Sequence, residues 1–469
     1  MESNELLQIQ PISEMPIARY PNMNSSQNTP SASLISLGCS KNTVDSEIML
    51  ASLSSYGFKL EPEFNKAEIV IINTCGFIEE AKHESIDTIL SIGELKKEGT
   101  VKIIVVAGCL VERYKTELTK ELPEVDLFIG TREYDLLPKL LLPKIKKEDS
   151  SIEYYSDTLM DYNRRLPRIL SDPGPSAYIK IAEGCSRPCT FCVIPRFRGK
   201  FRSRPLEIVL DEAKALGEIG VKEINLLAQE ITSYGTDLEI GWSLAKLLEK
   251  LNEIKNIEWI RVLYNYPRGV TDELLDTFRL LPKVCEYIDM PLQHISTKIL
   301  NSMRRGIDEI GTRKLIDRIK EKIPDCAIRT TMLVGYPGET DKDFELLLNF
   351  VEETRFARLG AFVFSPEERS IAAKLPNQTP YEVAKERTNE LLTLQKRIME
   401  EENKKLIGTK TSVLIERLSE EGLLQGRTRF QAPEVDGDVY LNKTEGIPGE
   451  IISGKIVKTD GINLVIEKN

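Results

Sequence analysis

Glu183-Gly184-Cys185-Ser186-Arg187-Pro188-Cys189-Thr190-Phe191-Cys192 carries three cysteines spaced C-x3-C-x2-C, directly after the apolar run Ala177-Tyr178-Ile179-Lys180-Ile181-Ala182. Three thiolates can hold three irons of a four-iron cluster and leave the fourth iron without a protein ligand. A cluster that only carries electrons ordinarily takes a fourth cysteine. The spacing therefore points to an iron that binds something else. The alternatives are a structural zinc knot and three buried free thiols. Zinc would want a fourth ligand nearby, and the next Cys or His downstream is Cys285.

Downstream of this loop, apolar runs alternate with amphipathic segments. Helices are predicted at 206–216, 243–251, 272–278, 296–303, 309–321 and 341–350, and strands at 223–227, 259–263, 287–290, 327–334 and 359–364. With the strand that feeds the cysteine loop, this gives a partial (β/α)6 barrel, open on one side, whose working face lies at the carboxyl ends of its strands. Candidate residues on that face are the cysteine loop with Phe191, Gln229-Glu230, Tyr264-Asn265-Tyr266-Pro267, Pro291-Leu292-Gln293-His294, of which Gln293 and His294 are substrate-channel candidates, and Gly335-Tyr336-Pro337-Gly338-Glu339. Phe191 could shield a cluster, pack an adenine or simply fill core. Gln229 and Glu230 could take polar groups of an amino-acid or ribose moiety, or cap a helix. Gly335 and Gly338 suit close approach of a cofactor, or a tight turn. His294 faces the substrate channel or makes a structural hydrogen bond. Arg187, Arg196, Arg198, Lys200, Arg202 and Arg204 form one basic run, either a solvated face or a guide for an anionic group or an RNA backbone to the mouth of the site, with Arg196 and Arg198 as substrate-channel candidates.

Upstream, the same alternation appears in 32–146. Strands at 33–37, 69–72, 101–106 and 126–130 are unbroken apolar runs with helices between them, the pattern of a parallel sheet covered on both faces. Cys39, Cys75 and Cys109 each follow one of three successive strands, where ligands gather in such sheets. A second cluster held by these three thiolates is one reading, and buried inert cysteines are the other. Residues 1–31 are rich in Ser, Asn, Pro and Gln and read as a disordered lead-in. The stretch 147–176 reads as a linker, 177–400 as the barrel domain, and 401–469, after a long charged helix at 381–406, as a small antiparallel barrel of five strands.

Composition narrows the function classes. Apolar content of 41% and charged content of 29% are ordinary for a soluble globular protein. No apolar run reaches the roughly eighteen residues of a membrane span, and no basic stretch with an apolar core opens the chain. Eight cysteines in 469 residues do not make a disulfide scaffold, so a reducing cytoplasm is expected. The net charge of −10 disfavours nucleic acid as a partner and suits a basic protein. Within 402–469, ten Lys/Arg stand against eleven Asp/Glu, too few cations for a barrel built to grip RNA. Two histidines leave little for histidine-based catalysis.

Cys185-Ser186-Arg187-Pro188-Cys189-Thr190-Phe191-Cys192 resembles the cluster motif of radical S-adenosylmethionine enzymes. Across 33–469 the arrangement resembles the methylthiotransferases of that superfamily, whose auxiliary-cluster ligands fall on Cys39, Cys75 and Cys109 and whose radical-cluster ligands fall on Cys185, Cys189 and Cys192. One branch of that family modifies tRNA adenosine, and the other modifies an aspartate of ribosomal protein S12. Ser36-Leu37-Gly38-Cys39-Ser40-Lys41-Asn42-Thr43-Val44-Asp45-Ser46-Glu47, Asn73-Thr74-Cys75-Gly76-Phe77-Ile78-Glu79-Glu80-Ala81, Asp289-Met290-Pro291-Leu292-Gln293-His294 and Arg329-Thr330-Thr331 are similar to the S12 branch. A Gly-Cys-Gln-Met-Asn sequence and a Pro-Val-Gln-Ser-Gly sequence, usual in the tRNA branch, are absent. One departure is Gln229-Glu230-Ile231-Thr232-Ser233, where the S12 branch more often has Gln-Asp-Thr-Ser.

The resemblance implies two [4Fe-4S] clusters, S-adenosyl-L-methionine as cofactor, and a carboxyl-terminal TRAM domain. The implied reaction is methylthiolation of an aspartate β-carbon with two S-adenosylmethionine molecules per product. One would methylate a sulfur on the auxiliary cluster. The other would yield the radical that takes the substrate hydrogen. The implied partners are ribosomal protein S12 or the small ribosomal subunit, an electron donor such as flavodoxin or ferredoxin, and a sulfur donor, with the enzyme itself a monomer. The rivals are tRNA methylthiolation, radical catalysis without sulfur insertion, and a non-enzymatic iron–sulfur scaffold that binds RNA.

Overall fold

The computed structural model describes residues 18–19, 30–147, 153–154, 164–172, 174–239, 241–419, 422–441 and 446–468. They pack as two compact units. The first comprises the described residues up to Asp172, together with Val193–Lys200 and Glu207–Ala215. The second comprises Gly174–Cys192, Phe201–Leu206 and the chain from Leu216 onward.

The first unit is built on a six-stranded sheet in the order Lys59–Leu60, Ser31–Ser36, Ile69–Thr74, Ile103–Gly108, Leu127–Ile129, Glu153–Tyr154. Each neighbouring pair is parallel. Its central strand Ile69–Thr74 is buried throughout, because both faces are covered. Successive side chains of a strand point to opposite faces. Ile69 and Ile71 accordingly pack with Met49, Leu53, Leu137 and Leu141, while Val70 and Ile72 pack with Ile89, Ile92, Leu110 and Val111. Fully burying each such side chain contributes about 1.5–3 kcal/mol. Within the expected lead-in, Ala18–Arg19 pairs in parallel with Ile169–Leu170, and the remainder up to residue 29 lies outside the described residues. The expected linker supplies Glu153–Tyr154 as an edge strand of the sheet.

The second unit holds two large β structures and the short antiparallel pair Ala182–Glu183 with Arg202–Ser203. Six parallel strands lie in the order Arg358–Val363, Ala327–Val334, Val284–Asp289, Trp259–Val262, Glu223–Leu227, Ser176–Lys180. This is the open (β/α)6 barrel, in sequential order. Lys410–Leu418, Leu424–Thr428, Val439–Leu441, Asn463–Lys468 and Ile451–Asp460 close a five-stranded barrel around Val413, Ile415, Val439, Ile456 and Ile466. The expectation of an all-antiparallel barrel needs one correction: Val439–Leu441 runs parallel to Asn463–Lys468. That pairing is what returns the last strand to the third and closes the ring.

The small barrel docks on the amino-terminal ends of the large barrel's strands. Arg427 of the small barrel ion-pairs with Glu223 and Glu416. Arg261 donates to Glu223 at 3.0 Å and to the Arg429 carbonyl at 2.7 Å. Tyr287 donates to Asp436 at 2.5 Å. Trp259, Tyr287, Ala327, Leu414 and Ala432 form the apolar part of this junction. The cysteine loop leaves from the opposite, carboxyl-terminal ends.

Candidate cluster sites

In the first unit, the strand register decides where the cysteines fall. Ser36 aligns with Asn73, Asn73 with Ala107, and Thr74 with Gly108. The three strands therefore end level, and Cys39, Cys75 and Cys109 leave the same edge of one sheet. Cys39 caps the helix Ser40–Ser55, and Cys109 is the first residue of the helix Cys109–Tyr114. The positive end of a helix dipole favours a thiolate. Glycine is required beside two of them. Gly38 has φ +91°, and a Cβ there would lie 2.6 Å from the Cys75 Cβ. Gly108 has φ +101°, and a Cβ there would lie 2.5 Å from the Asn73 Oδ1.

A polar lattice holds these strand ends. Asn42 donates to the carbonyls of Leu37 at 2.9 Å and Thr74 at 3.0 Å. Asn73 donates to the Asn42 carbonyl at 3.0 Å and to Ser46 at 2.9 Å. Ser85 accepts from the Cys75 N–H at 3.2 Å and donates to its carbonyl at 3.1 Å. Cys39 is exposed, and Cys75 and Cys109 are each 8% exposed. Burial pushes the Cys75 thiol up and the Cys109 thiol up to about 12, with the Arg198 charge pulling Cys109 the other way.

In the second unit, the strand Ala182–Glu183, paired with Arg202–Ser203, delivers the loop of Cys185, Cys189 and Cys192. Glu183 anchors its base, accepting from Lys180 at 2.7 Å, Gly184 N–H at 3.2 Å and Gln229 at 2.6 Å. Arg187 and Arg305 stack on the ring of Tyr266, their guanidinium carbons 4.3 and 4.6 Å from its centroid. Arg187 also pairs with Glu230 at 2.9 Å. Arg305 donates to Cys189 Sγ at 3.4 Å and to the Pro291 carbonyl at 2.5 Å. Thr190 donates to the Ser302 carbonyl at 2.9 Å. Burial raises the Cys185 thiol to about 11.

The expected site residues are distributed unevenly. Glu230 is held by Arg187, Thr232 and Ser233. The loop departs from the Gln-Asp-Thr-Ser pattern at Glu230 and Ile231, and those two hydroxyls are residues it keeps. Phe191 is partly buried against Ile299, Met303, Tyr336 and Phe364. Gly335 abuts Ala384 of the helix Tyr381–Lys405, and Gly338, at φ +83°, has open space where a side chain would be. Gln293, four residues past the strand Val284–Asp289, carries φ +77°, a conformation uncommon for a non-glycine residue. His294 is fully buried. Its Nδ1 accepts from the Ser296 N–H at 2.9 Å, and its Nε2 lies 3.5 Å from Glu339. Its burial and the Ser296 contact favour the structural hydrogen bond over a channel-facing position. Cys285 is fully buried, and Cys326 is raised to about 12 by burial. The basic run does not form one patch. Arg196 and Lys200 are exposed, Arg204 is buried and donates to the Lys180 carbonyl at 2.8 Å, and Arg198 is buried in the first unit.

The thiolate donors of both cysteine sets are of the kind an iron–sulfur cluster takes. Among the described residues, no three His, Cys, Asp or Glu side chains converge as they would on a single metal ion. In a cluster each thiolate binds a different iron, so the thiolates stand apart. The two conformationally demanding glycines clear the first edge of side chains. Beside the second loop, Gln229 Oε1 and Arg305 Nε are buried without a hydrogen-bond partner among the described residues. Such orphaned groups are uncommon and suit a site that receives a polar ligand. Sequence reasoning missed Asn42, Asp45 and Arg305, whereas Tyr266 lies in a stretch it placed on the working face. Nothing local singled out the first two, because the buried residues of their helix also include Lys41, Ser46 and Glu47.

Comparison with known proteins places the chain in a family along nearly its whole length. Residues 31–130 match the family model described as Uncharacterized protein family UPF0004, residues 179–351 the Radical SAM superfamily, and residues 407–467 the TRAM domain. The chain is 47% identical, over 93% of its length and 97% of the relative's, to the ribosomal protein uS12 methylthiotransferase RimO of Citrifermentans bemidjiense. It is 46% identical to the protein of that name from Clostridioides difficile, over 90% of this chain and 95% of that one. Among solved structures it shares its fold with the radical S-adenosylmethionine methyltransferase TsrM from Kitasatospora setae, at TM-score 0.53 and 15% identity over 71% of this chain and 73% of that one. Level cysteines on one sheet, a second cysteine loop on an open barrel, a closed terminal barrel and near-full-length likeness coincide in one chain, which belongs to the family of ribosomal protein uS12 methylthiotransferases.

Proposed function

We propose that this chain methylthiolates the β-carbon of an aspartate in ribosomal protein uS12, giving 3-methylthioaspartate and consuming two S-adenosylmethionine molecules per product. The register that ends level the three strands leading into Cys39, Cys75 and Cys109 supports the reaction class, since radical catalysis without sulfur insertion leaves that trio unexplained. The substrate rests on likeness to uS12 methylthiotransferases over nearly the whole chain. The charge of −10 supports it, because an acidic enzyme meets a basic ribosomal protein quickly.

Cys185, Cys189 and Cys192 would hold one [4Fe-4S] cluster, and Cys39, Cys75 and Cys109 a second. Bound there with S-adenosylmethionine, these groups supply the electron, the radical and the sulfur transfer. The chain's own part is positioning. Arg187, Tyr266 and Arg305 stiffen the radical loop from behind. Gln229, Phe191, Gly335 and Gly338 are proposed to bound the cofactor, with Glu230 acting through Arg187. Gln293 and Arg196 are proposed to meet the substrate. A flavodoxin- or ferredoxin-type donor, a separate sulfur source, a monomeric enzyme and a cytoplasmic location complete the reading. Among the described residues, no helix is long and apolar enough to cross a membrane.

Reconstituted protein, reductant and S-adenosylmethionine would be incubated with uS12-containing small subunits and, separately, with tRNA, followed by mass measurement. Methylthio addition to uS12 alone is the expected result. Addition to tRNA with unmodified uS12 would overturn the substrate assignment.

A further inference from the structure

We infer that Arg198 is a positioning residue of the amino-terminal cluster site and sets that cluster's charge and reduction potential, with Asp45 as its counterweight. The inference rests on the second cluster proposed above and goes beyond it, since Arg198 belongs to neither cysteine set. It lies six residues after Cys192 in the chain, yet it packs in the first unit. It is 4% exposed. One arm of its guanidinium, Nη1, donates to Asp45 Oδ2 at 2.9 Å. The other, Nη2, donates to Asn42 Oδ1 at 3.0 Å and to Cys109 Sγ at 3.0 Å. Val193, Ile194 and Phe197, on the same short segment, pack against Cys109. The segment thus brings both an apolar seal and a cation to one thiolate ligand.

A buried cation needs a counter-ion, and Asp45, itself fully buried, is that partner. The ion pair alone would not require contact with sulfur. The second arm nevertheless points at the ligand atom itself, the kind of outer contact that tunes a metal site. Reducing a cluster adds one negative charge. A hydrogen bond to a ligand sulfur, from a group that also carries positive charge, stabilises the reduced form more than the oxidised form and raises the potential. Asp45 carries the opposite charge on the far side of the same guanidinium, so it pulls the potential down. The two residues therefore predict shifts of opposite sign, which a merely structural ion pair does not.

The test uses full-length protein with Cys185, Cys189 and Cys192 replaced by Ala, so that any cluster is held by Cys39, Cys75 and Cys109. Iron content and the midpoint potential, from a redox titration followed by electron paramagnetic resonance, are compared for Arg198→Gln, Arg198→Lys and Asp45→Asn. Arg198→Gln is expected to lower the midpoint, Asp45→Asn to raise it, and Arg198→Lys to fall between Gln and the parent. If Arg198→Gln loads no cluster, the Asp45→Asn shift decides: a rise supports the inference, and no change or a fall overturns it. Loaded clusters with an unchanged midpoint in Arg198→Gln and Asp45→Asn overturn the role of Arg198 alone. Absence of any cluster in the parent overturns the cluster reading, and this inference with it.

Discussion

A cysteine at a strand end can serve an inorganic core only if its neighbours stay out of the way. At Gly108, φ is +101° and the nearest atoms to an added Cβ are Asn73 Oδ1 at 2.5 Å and the Thr74 carbonyl oxygen at 2.6 Å. Neither is the loose end of a flexible chain, because Asn73 is tied to Asn42 and Ser46. Gly108→Ala is therefore expected to cost about 1–3 kcal/mol and to lower iron content. Urea unfolding and an iron assay measure the two effects. At the cysteines themselves, Cys39, Cys75 and Cys109 stand on a different unit from the radical loop. Replacing all three with Ala is expected to abolish methylthio product while 5'-deoxyadenosine is still released. Both are read in one assay, and full product from the triple variant would sink the assignment. The strand-end placing of Cys39, Cys75 and Cys109 and the loop of Cys185, Cys189 and Cys192 were legible because spacing and strand-end position are local properties. Arg198 was legible only as one of a basic run. Its partners Asn42 and Asp45 lie more than a hundred residues away.

At the scale of elements, period did most of the work. Unbroken apolar runs marked the buried strands, and the helices fell where amphipathic segments had been read, as at Glu309–Lys322 and Asp341–Thr354. Helix starts follow local capping chemistry. Thr340 accepts from the Asp343 N–H, and the Asp343 carboxylate accepts from the Thr340 N–H at 2.9 Å, a reciprocal capping box. It opens the helix that follows Gly338 and Glu339. Thr340→Ala is expected to cost about 0.5–2 kcal/mol, measurable as a fall in the urea midpoint with an unchanged slope. What eluded the element reading was pairing between strands far apart in sequence. Glu153–Tyr154 joins the first sheet from within a stretch with no strand-like run. Val439–Leu441 pairs in parallel because ring closure, not its own residues, fixes its neighbour.

At the scale of the molecule, the terminal barrel is held to the large one through buried charge. Burial alone would raise the Glu223 carboxyl, but Arg427 and then Arg261 outweigh it and bring it down to about 2. Glu223→Gln leaves the two guanidiniums under-compensated and is expected to destabilise the second unit by about 3–5 kcal/mol, seen in urea unfolding followed by tryptophan fluorescence. Trp259 lies in the junction and reports on it. The pH dependence follows in sign. A carboxyl depressed in the folded state contributes fully above its unfolded value, and the contribution is lost as pH falls towards about 2. Wild-type unfolding should therefore become easier from about pH 5 downward, and Glu223→Gln should flatten that dependence.

The sequence by itself determined the chemistry and the order of parts: two cysteine trios, a covered parallel sheet, an open barrel and a small terminal barrel. Each of these is written in short-range spacing, which one stretch of chain carries alone. Only the tertiary structure decided which charges meet. Arg427 finds Glu223 across 204 residues of chain, His294 turns inward to Glu339, Arg187 occupies Glu230, and Arg198 leaves its basic neighbours for Asp45 and Cys109. A buried ion pair has no signature in either member's own neighbourhood. It is fixed by the packing that excludes water from both.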